Sequence, residues 1–438
     1  MIELLIAILA LLIIAGIGFP LGVSLLFVGY VGFALVHPRG FDAAGTVAGQ
    51  QILELAANHQ FAVLPLFILM GVLVTRSGIS DSMYDCAAKW LGHLRGGLAL
   101  STVAACGGMA AISGSSLATA ATMTKVAIPA MRKYKYDDAF SAGTVAAGGT
   151  IGILIPPSGA LIIYGLLAEV DIARLFIAGL IPGLISILLY FVAIQVVCII
   201  KPDWGPRGEN QPLREKIFAL KDIWSVLTLF GVIMGGIFFG VFTASEGGGV
   251  GAGGALLIAV MRRKMSWSTL FESLLEAGKL TATVFAVGFG ALMLNQFVNM
   301  AGAPQEILAF ITQLGIGPWG TVMVILGCYV VLGMIVDGPA MIFLTVPIFV
   351  PLIADLPLPI DPELKLVWWG IIVVVAVEIS LITPPIGMNV FVIASMVPDV
   401  SLMQIYRGII AFFIADLARL ALFVFAPGSV LWLVSYLG

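Results

Sequence analysis

The sequence has 438 residues, of which 61% are apolar and only 10% are charged, and its mean hydropathy is +1.12. Soluble globular domains carry about 25% charged residues, so this composition excludes a soluble domain. The net charge of −3 offers no basic surface for nucleic acid and excludes that class of partner. Because a membrane-spanning helix needs about 20 apolar residues, the apolar runs predict an all-α polytopic membrane protein with roughly ten crossings in the lipid bilayer.

The N-terminal region, 1–75, contains three apolar runs, which we interpret as scaffold helices. The first run, 3–17, lacks the basic start of a cleavable signal and continues through Phe19-Pro20 into a second run. We therefore expect it to be the first helix of the protein. The other two runs are 20–36 and 60–75.

The next apolar segment, 97–131, is too long for one crossing and contains a stretch rich in small residues, AAISGSSLATAA, at 110–121. Basic residues flank it on both sides, at Arg76, Lys89, Arg95, Arg132, Lys133 and Lys135. By the positive-inside rule both flanks are cytoplasmic, so the segment is predicted to be a re-entrant helical hairpin. The run that follows, 139–167, is interrupted by Pro156-Pro157 and is predicted to be a discontinuous helix of a first repeat, 76–200.

The polar stretch 201–222 divides the chain near its midpoint. A cytoplasmic linker with an interfacial helix and a plain solvated connector are equally good interpretations of it. The apolar runs in 223–300 are interpreted as scaffold or arm helices. Within them, Glu246 follows Thr243 at a predicted outer helix start, where a structural N-terminal cap is favoured over a transport role.

The second half repeats the features of the first in the same order. Residues 321–354 form a second predicted hairpin with both flanks outside, and 366–397 is a second run interrupted by Pro384-Pro385. The separation of Gly114 from Gly338 nearly equals the separation of Pro156 from Pro384. These matched separations predict a duplication, with the second repeat at 301–438. Since the hairpins open to opposite faces, the repeats are inverted, which is typical of secondary transporters.

Each predicted break exposes helix-end carbonyl groups, which attract a cation, and helix-start amides, which attract an anion. At the first tip, 113–116, hydroxyl and carbonyl oxygens suit Na⁺, a hard ion. At the second tip, Asp337 places a carboxylate in an apolar stretch, at a cost of about 2.5–3.5 kcal/mol. Asp337 either ligates the ion or caps the second limb, and both roles can hold. No Arg or Lys lies at either tip or break, so the Asn389 amide, hydroxyls and helix-start amides are expected to hold an anionic substrate.

Other candidate groups lie outside the tips. Glu378, six residues before Pro384, either tunes the second ion site or pairs with a neighbour, and Asp416 and Arg419 are expected to neutralise each other at i, i+3. The cysteines show neither metal-ligand nor disulfide spacing and are interpreted as buried small hydrophobic residues: Cys86, Cys106, Cys198 and Cys328.

Several long motifs resemble the large membrane subunit of tripartite ATP-independent periplasmic (TRAP) transporters. They are GGTIGILIPPSGALIIYG (148–165), FTASEGGGVGA (242–252), NMAGAP (299–304), DGPAMIFLTVPIFVPL (337–352) and LITPPIGMNVFVIASM (381–396). The resemblance implies a Na⁺-driven importer with an elevator fold in the bacterial inner membrane, no cofactor beyond the coupling ion and no enzymatic activity. It also implies two partners: a periplasmic substrate-binding protein, and a small four-helix membrane subunit that we expect to be a separate chain.

Carried over position by position, the resemblance places ion and substrate sites at the tips and breaks. The implied sodium-binding residues are Ser113, Gly114, Ser115, Pro156, Ser158, Gly159, Asp337, Gly338, Thr383, Pro384 and Gly387. The implied substrate-binding residues are Ser116, Pro157, Met388 and Asn389. Where the family motif after the outer helix reads TPTE-A-A-A, this chain has smaller residues around Glu246, from Thr243 to Gly247.

The substrate is expected to be a small organic acid such as sialic acid or a C4-dicarboxylate. The alternative transporter is a stand-alone Na⁺/carboxylate symporter of related inverted-repeat fold, which needs no binding protein. An intramembrane enzyme is disfavoured because the sequence offers no convergent nucleophile and base.

Overall fold

The computed structural model describes residues 2–303, 305–306, 309, 315–334 and 336–437. Within these residues the chain forms α-helices joined by short connections, with no β-strand, which confirms the all-α class. Pro304, in the motif 299–304, and Ile335, in the predicted hairpin 321–354, lie outside the described residues.

The first half contains ten helices in chain order: α1 (Ile2–Gly16), α2 (Leu21–Val36), α3 (Gly40–Ala57), α4 (Val63–Arg76), α5 (Ile79–Leu91), α6 (Gly97–Ser113), α7 (Ser116–Lys133), α8 (Asp138–Thr150), α9 (Gly159–Leu167) and α10 (Ile172–Ile200). Short 3₁₀ turns at His59–Ala62, Ile151–Ile153 and Pro202–Trp204 precede α4, follow α8 and follow α10.

Within the described residues, the helices of the second half with defined bounds are α11 (Leu213–Phe238), α12 (Ala244–Met261), α13 (Trp267–Met300), α14 (Gly317–Gly333), α15 (Gly338–Asp355), α16 (Pro362–Ser380), α17 (Met388–Met396), α18 (Leu402–Phe425) and α19 (Gly428–Leu437). Helix α11 begins at Leu213 and continues unbroken to Phe238. The predicted interfacial helix within 201–222 is therefore the first part of a longer helix, preceded by the polar connection that ends at Pro212.

Both hairpins and both discontinuous helices are present. Helices α6 and α7 form hairpin 1, with its tip at 113–116, and α14 and α15 form hairpin 2, which turns between Gly333 and Gly338. Helices α8 and α9 are the halves of the first broken helix, separated by residues 151–158, and α16 and α17 are the halves of the second, separated by 381–387. Each Pro-Pro doublet lies in one of these breaks, and each is joined by a cis peptide bond.

Among the described residues, seven helices are long and apolar enough to cross a membrane: His59–Arg76, Ile172–Ile200, Leu213–Phe238, Ala244–Met261, Trp267–Met300, Gly338–Asp355 and Leu402–Phe425. The lengths of the apolar runs alone predicted more crossings. The difference arises because α2, α6 and α14 are shorter than a full span and because the runs at the broken helices divide into shorter pieces. A half-helix of nine residues rises only about 14 Å, half of the hydrocarbon thickness.

Hairpin 1 opens at one end of the broken helices. Arg132, at the end of α7, pairs with Asp138 at the start of α8 (2.7 Å) and with Asp399 just after α17 (2.5 Å). Leu98, in the first turn of α6, donates its backbone N–H to Tyr136, whose hydroxyl donates to Pro206 O at 2.8 Å. The open end of hairpin 1 thus lies beside the start of the first broken helix and the end of the second.

Hairpin 2 opens at the opposite end. Lys365, near the start of α16, donates to Ala354 O and Leu356 O where α15 ends, at 2.8 and 2.9 Å. Tyr164, in α9, donates its hydroxyl to Leu366 O at 2.7 Å. This open end therefore lies beside the end of the first broken helix and the start of the second. The two hairpins enter the helix bundle from opposite ends, as the predicted inverted repeat requires.

The helices outside the repeats pack through glycine. A Cβ atom on Gly22 of α2 would lie 2.8 Å from the backbone of Ala286 in α13, and one on Gly29, two turns further along α2, would lie closer still to the backbone of Leu294. On α12, a Cβ on Gly248 would lie 3.1 Å from Leu66 of α4. Close backbone approach at small residues is the usual way in which membrane helices associate.

Three of the four cysteines are buried, as expected, whereas Cys328 is exposed. The prediction of a buried Cys328 is wrong because the residue lies on an outward face of α14, with the exposed Val324 and Val331. A small apolar side chain suits a face toward lipid as well as it suits a core.

Candidate functional site

The tip of hairpin 1 is a tight turn with several oxygen atoms. Gly114 ends α6 in the left-handed conformation (φ 57°), and Ser115 accepts a hydrogen bond from Ala118 N at 3.4 Å to begin α7. The Ser113 hydroxyl lies 2.9 Å from Thr119 Oγ1, which donates to Ser115 O at 2.8 Å. Thr119 was not among the predicted residues, because a lone Thr inside a helix carries no local signal.

This tip packs against the first break. A Cβ atom on Gly114 would lie 3.2 Å from Pro157 O and 3.4 Å from Gly159 N, a tight approach that, together with the positive φ, favours glycine. In the break, the Ser158 hydroxyl donates to Ile153 O and accepts from Leu161 N, which caps α9. Pro156, Pro157 and Ser158 are buried. The predicted residues of the first sodium site are thus brought together from hairpin 1 and the first broken helix.

Hairpin 2 packs against the second broken helix at the last turn of α16. A Cβ on Gly338 would lie 3.0 Å from the Val377 side chain, and Gly333 lies directly against Ser380, the last residue of α16. Across this break, Gly387 has φ 58°, and a Cβ there would lie 3.3 Å from both Leu381 O and Thr383 O. These two carbonyl groups therefore converge on one point. The break is more open than the first, since Pro384 is exposed.

Tyr406, in α18, supports this second break: its hydroxyl donates to Ile386 O at 2.8 Å. The Thr383 hydroxyl donates a hydrogen bond to Ile379 O, in the last turn of α16, at 2.6 Å. Sequence reasoning missed Tyr406, because this residue lies on α18, many residues after the second helix break. It holds the backbone on which the predicted ligands Thr383, Pro384 and Gly387 depend.

Two predicted substrate-binding residues connect the halves of the chain. Ser116, the first residue of α7, lies 3.0 Å from Asn389 Oδ1 and 2.8 Å from Asn389 Nδ2, and both side chains are buried. The Asn389 amide also donates to Ala146 O in α8 at 3.1 Å. Asn389 thereby joins hairpin 1, the first broken helix and α17, the helix that begins with Met388 after the second break.

The ends of eight helices meet in this region. Helices α6, α8, α14 and α16 end at a tip or a break, and α7, α9, α15 and α17 begin there. Carbonyl groups at the helix ends carry partial negative charge and amides at the helix starts carry partial positive charge. The arrangement can therefore bind small cations at each tip and break and an anion between them, without a basic side chain.

Asp337 occupies the N-cap position of α15, with Pro339 in the first turn, but its side chain makes no capping hydrogen bond. The carboxylate nevertheless faces the backbone N–H of Ala340 in the first turn of α15, as a capping group does, and being half-buried it remains available as an ion ligand. Glu246 does cap, as predicted: it forms a reciprocal capping box with Thr243 at the start of α12.

Glu378 pairs with a neighbour, one of the two possibilities considered. Its Oε2 lies 2.8 Å from Arg419 Nη2, and the same nitrogen lies 3.0 Å from Asp416 Oδ1, as the i, i+3 spacing predicted. All three side chains are 0% exposed. The Glu378–Arg419 pair was not predictable, because the partners lie far apart in the sequence and on different helices.

A cavity of about 840 Å³ lies away from these groups, between the ends of α3 and α9 and the start of α12. Acidic residues on its wall include Glu54, Glu169 and Asp171, and none of the predicted site residues lines it. In the part of the chain that the structure describes, no three His, Cys, Asp or Glu side chains are grouped as metal ligands. Any ion at the tips is therefore bound mainly by hydroxyl and carbonyl oxygens.

Comparison with known families gives one match over most of the chain. The profile of "Tripartite ATP-independent periplasmic transporter, DctM component" matches residues 5–429. This range includes all the residues of the tips and breaks described above.

Individual proteins show the same similarity. The C4-dicarboxylate TRAP transporter large permease protein DctM of Pseudomonas aeruginosa is 35% identical over 390 residues, which is 89% of either chain. The ectoine/5-hydroxyectoine TRAP transporter large permease protein UehC of Ruegeria pomeroyi is 31% identical, over 97% of either chain. The sialic acid TRAP transporter permease protein SiaT of Haemophilus influenzae is 30% identical, over 96% of this chain and 67% of that protein.

A solved structure shares the fold. The YdaH transporter of Alcanivorax borkumensis, described as having an unusual topology, superposes with a TM-score of 0.63 over 90% of either chain. At 14% sequence identity, this likeness concerns the fold alone.

Proposed function

Since this chain belongs to the DctM family of tripartite ATP-independent periplasmic transporters, as its large permease component, we propose that it imports small organic acids in symport with Na⁺. The relatives are transporters and not enzymes. The proposed location is the bacterial inner membrane, where the chain works with a periplasmic substrate-binding protein and a small four-helix membrane subunit. The observation that carries the sodium coupling is that each hairpin packs against a broken helix at its interruption: Gly114 against Pro157 and Gly159 in the first break, and Gly333 against Ser380, where α16 ends at the second.

The proposed first sodium site lies between the hairpin 1 tip and the first break, at Ser113, Gly114, Ser115, Pro156, Ser158 and Gly159. The proposed second site lies between the hairpin 2 tip and the second break, at Asp337, Gly338, Thr383, Pro384 and Gly387. Ser116, Pro157, Met388 and Asn389 would hold the substrate between the two sites. The support for this arrangement is the convergence of helix ends, which supplies oxygen ligands and amide donors where no basic side chain lies.

Energetics favour two ions over one. Accumulating a substrate a thousandfold costs about 4 kcal/mol, at about 1.4 kcal/mol for each factor of ten. Each net charge that moves through 100 mV contributes about 2.3 kcal/mol. A monoanion with a single Na⁺ carries no net charge and gains nothing from the membrane potential, so two sodium sites match the requirement.

We assign the motion to an elevator. The moving unit would consist of the hairpins and broken helices of the repeats 76–200 and 301–438, and the scaffold would comprise 1–75 and 223–300, joined by the linker 201–222. The tight glycine contacts between α2 and α13 support a rigid scaffold. The substrates named for the relatives differ widely, so the proposal covers small organic acids as a class.

A reconstitution experiment separates this proposal from a stand-alone symporter. Proteoliposomes would hold the chain with a four-helix small subunit, and uptake of a labelled acid would be measured with and without the loaded binding protein. We expect uptake only with all three components and an inward Na⁺ gradient. Uptake without the binding protein would indicate the stand-alone symporter, and uptake unaffected by replacing Na⁺ with choline would contradict sodium coupling.

A further inference from the structure

A buried group of charged side chains lies between the two helix breaks. It consists of Glu378 in α16, Asp416 and Arg419 in α18, and Tyr190 in α10. The charged members are 0% exposed, and Tyr190 is also fully buried. The sodium and substrate sites proposed above do not use any of these four residues, which we call the buried ionic cluster.

The cluster reaches toward both breaks. Tyr190 Oη lies 3.3 Å from Thr150 Oγ1, and Thr150 is the last residue of α8 before the first break. Glu378 lies two residues before Ser380, where α16 ends at the second break. The Arg419 Nη1 atom donates to Ser186 Oγ of α10 at 2.6 Å. The cluster is therefore part of the packing that joins the two broken helices.

The charges of the cluster do not balance. One guanidinium group and two carboxylates would leave one uncompensated negative charge if all three groups were ionised. An unpaired charge removed from water costs far more than a neutral polar group, and carboxyl groups in such sites take up a proton instead. When two carboxylates share one site, the proton is held by the acid whose ionised form is less well hydrogen-bonded.

The hydrogen bonds distinguish the two acids. Asp416 accepts the Tyr190 hydroxyl at 2.8 and 2.9 Å through its two oxygens. Its ion pair with Arg419 Nη2, at 3.0 Å, is longer than the 2.8 Å pair of Glu378, and this nitrogen is not aligned for a hydrogen bond to either acid, so the Tyr190 hydroxyl is what distinguishes the two. Neither oxygen of Glu378 has a hydrogen-bond partner among the described residues, although Oε2 is close to Arg419 Nη2 without the alignment of a hydrogen bond. We propose that Glu378 is a proton-binding site: its carboxyl group holds a proton at neutral pH, while Asp416 stays ionised against Arg419.

Among the residues that the structure describes, the surroundings of Glu378 add no second cation. Facing it are Arg419 and Asp416 from α18 and Tyr190 from α10. On α9 and α14, Tyr164 and Tyr329 pack against α16 near Leu366 and Trp369, about 13 Å or more along the helix. From hairpin 2, Asp337 precedes Gly338, which contacts Val377, and it brings a further acidic group to this part of the helix. Helix α19 carries no acidic or basic side chain.

Infrared spectroscopy tests the proposal on the purified full chain at neutral pH. A neutral carboxylic acid has a C=O stretch that lies apart from the carboxylate bands. We expect such a band, and we expect ¹³C labelling of glutamate to shift it. Glu378 is buried and the other ten glutamates of the chain are exposed, so the labelled band reports on this residue. The labelling needs no substitution and is independent of whether any variant folds.

Two variants sharpen the assignment. Glu378→Gln should remove the glutamate-dependent band, whereas Glu363→Gln, an exposed glutamate in the first turn of the same helix, should leave it unchanged. A spectrum with no glutamate-dependent acid band at neutral pH would overturn the proposal. So would acid bands that all follow aspartate labelling, because the proton would then lie on Asp416 or Asp337.

The thermal stability as a function of pH gives a second readout. Unfolded glutamate releases its proton near pH 4.3, so at neutral pH the folded chain would hold one proton more than the unfolded chain. Raising the pH then destabilises the folded state, by up to about tenfold in the unfolding equilibrium per pH unit. Glu378→Gln imitates the neutral acid and cannot release the proton, so we expect its thermal stability to fall less steeply as the pH is raised. An identical pH dependence in Glu378→Gln and in the unmodified chain would contradict the proposal.

Discussion

At the scale of single residues, the sequence indicated candidate functional groups but not which residues they contact. Asp337 and Asn389 were identifiable because a carboxylate and an amide beside a helix break are costly in an apolar segment. The contact between Ser116 and Asn389 spans 273 residues, and nothing local in either segment predicts it. The same holds for Glu378 and Arg419: each is recognisable as a buried charge, but their pairing depends on how α16 packs against α18.

Substituting Asp337 tests the role that remains open to it. Asp337→Asn keeps the shape of the side chain and removes the charge, so we expect Na⁺ to bind at least tenfold more weakly, about 1.4 kcal/mol. The measurement is the Na⁺ concentration that gives half-maximal uptake in proteoliposomes. Asp361→Asn is the matched control, because Asp361 caps α16 at an exposed position away from the tips. Equal sodium dependence in both variants would remove Asp337 from the ion site.

Substituting Asn389 tests the proposed substrate contact. Asn389→Ala removes the amide that joins Ser116 and Ala146 O, and we expect the KM for the acid to rise about tenfold, as expected for one lost hydrogen bond to a charged group. Sodium dependence should change little. Asn210→Ala, in the polar linker, is the control. A normal KM in Asn389→Ala would contradict a role for this residue in substrate binding.

At the scale of elements, the hairpins and broken helices were predictable because Pro and Gly act locally. Each proline doublet ends a helix, since proline lacks the N–H donor and clashes with the preceding turn. The small residues at the tips permit tight reversals, as at Gly114 (φ 57°). The exact closeness of tip and break was not predictable, because it depends on side-chain packing across the two elements.

A pair of glycine substitutions separates the cost of a positive φ from the cost of crowding the contact between the hairpin 1 tip and the first break. Gly114 and Gly240 both have positive φ, but of the two only Gly114 has atoms within 4 Å of where a Cβ would stand, Pro157 O among them. Alanine in the left-handed region costs about 1–2 kcal/mol at either position. We expect Gly114→Ala to lower the thermal stability more than Gly240→Ala and to reduce sodium-dependent uptake. Equal effects of the two substitutions would mean that the tip does not pack tightly against the first break.

The contact between α2 and α13 is a further prediction at this scale. Gly29→Val should push the two helices apart and cost about 1–3 kcal/mol by overpacking, seen as a lower midpoint of thermal unfolding. Gly49→Val, on α3 with nothing within 4 Å, is the control for the loss of a helical glycine. A midpoint unchanged by Gly29→Val would contradict the close approach of these helices.

At the scale of the whole molecule, the opposite orientation of the two hairpins is the main architectural feature. Sequence analysis predicted it from the basic flanks and from the matched separations of the tip glycines and the proline doublets. The ion pairs of Arg132 and the hydrogen bonds of Lys365 place the open ends of the two hairpins at opposite ends of the broken helices. The number of crossings was less well predicted, because hydropathy does not distinguish a full span from a half-helix or a hairpin limb.

Cysteine labelling in intact cells tests this orientation. In a chain whose four cysteines are replaced by alanine, Lys133→Cys marks the open end of hairpin 1 and Asp355→Cys that of hairpin 2, and both positions are exposed. A membrane-impermeant maleimide added outside should label Asp355→Cys and leave Lys133→Cys unlabelled until the cells are opened. Labelling of both positions from the same side would contradict the inverted repeat.

The central claim is that each contact between a hairpin tip and a helix break binds one sodium ion. Equilibrium binding of radioactive Na⁺ to the purified chain tests it without knowledge of the substrate. The account predicts saturable binding of two ions per chain, reduced to one in Asp337→Ala because the site at hairpin 1 remains intact. Absence of saturable Na⁺ binding, or binding that Asp337→Ala leaves unchanged, would contradict it.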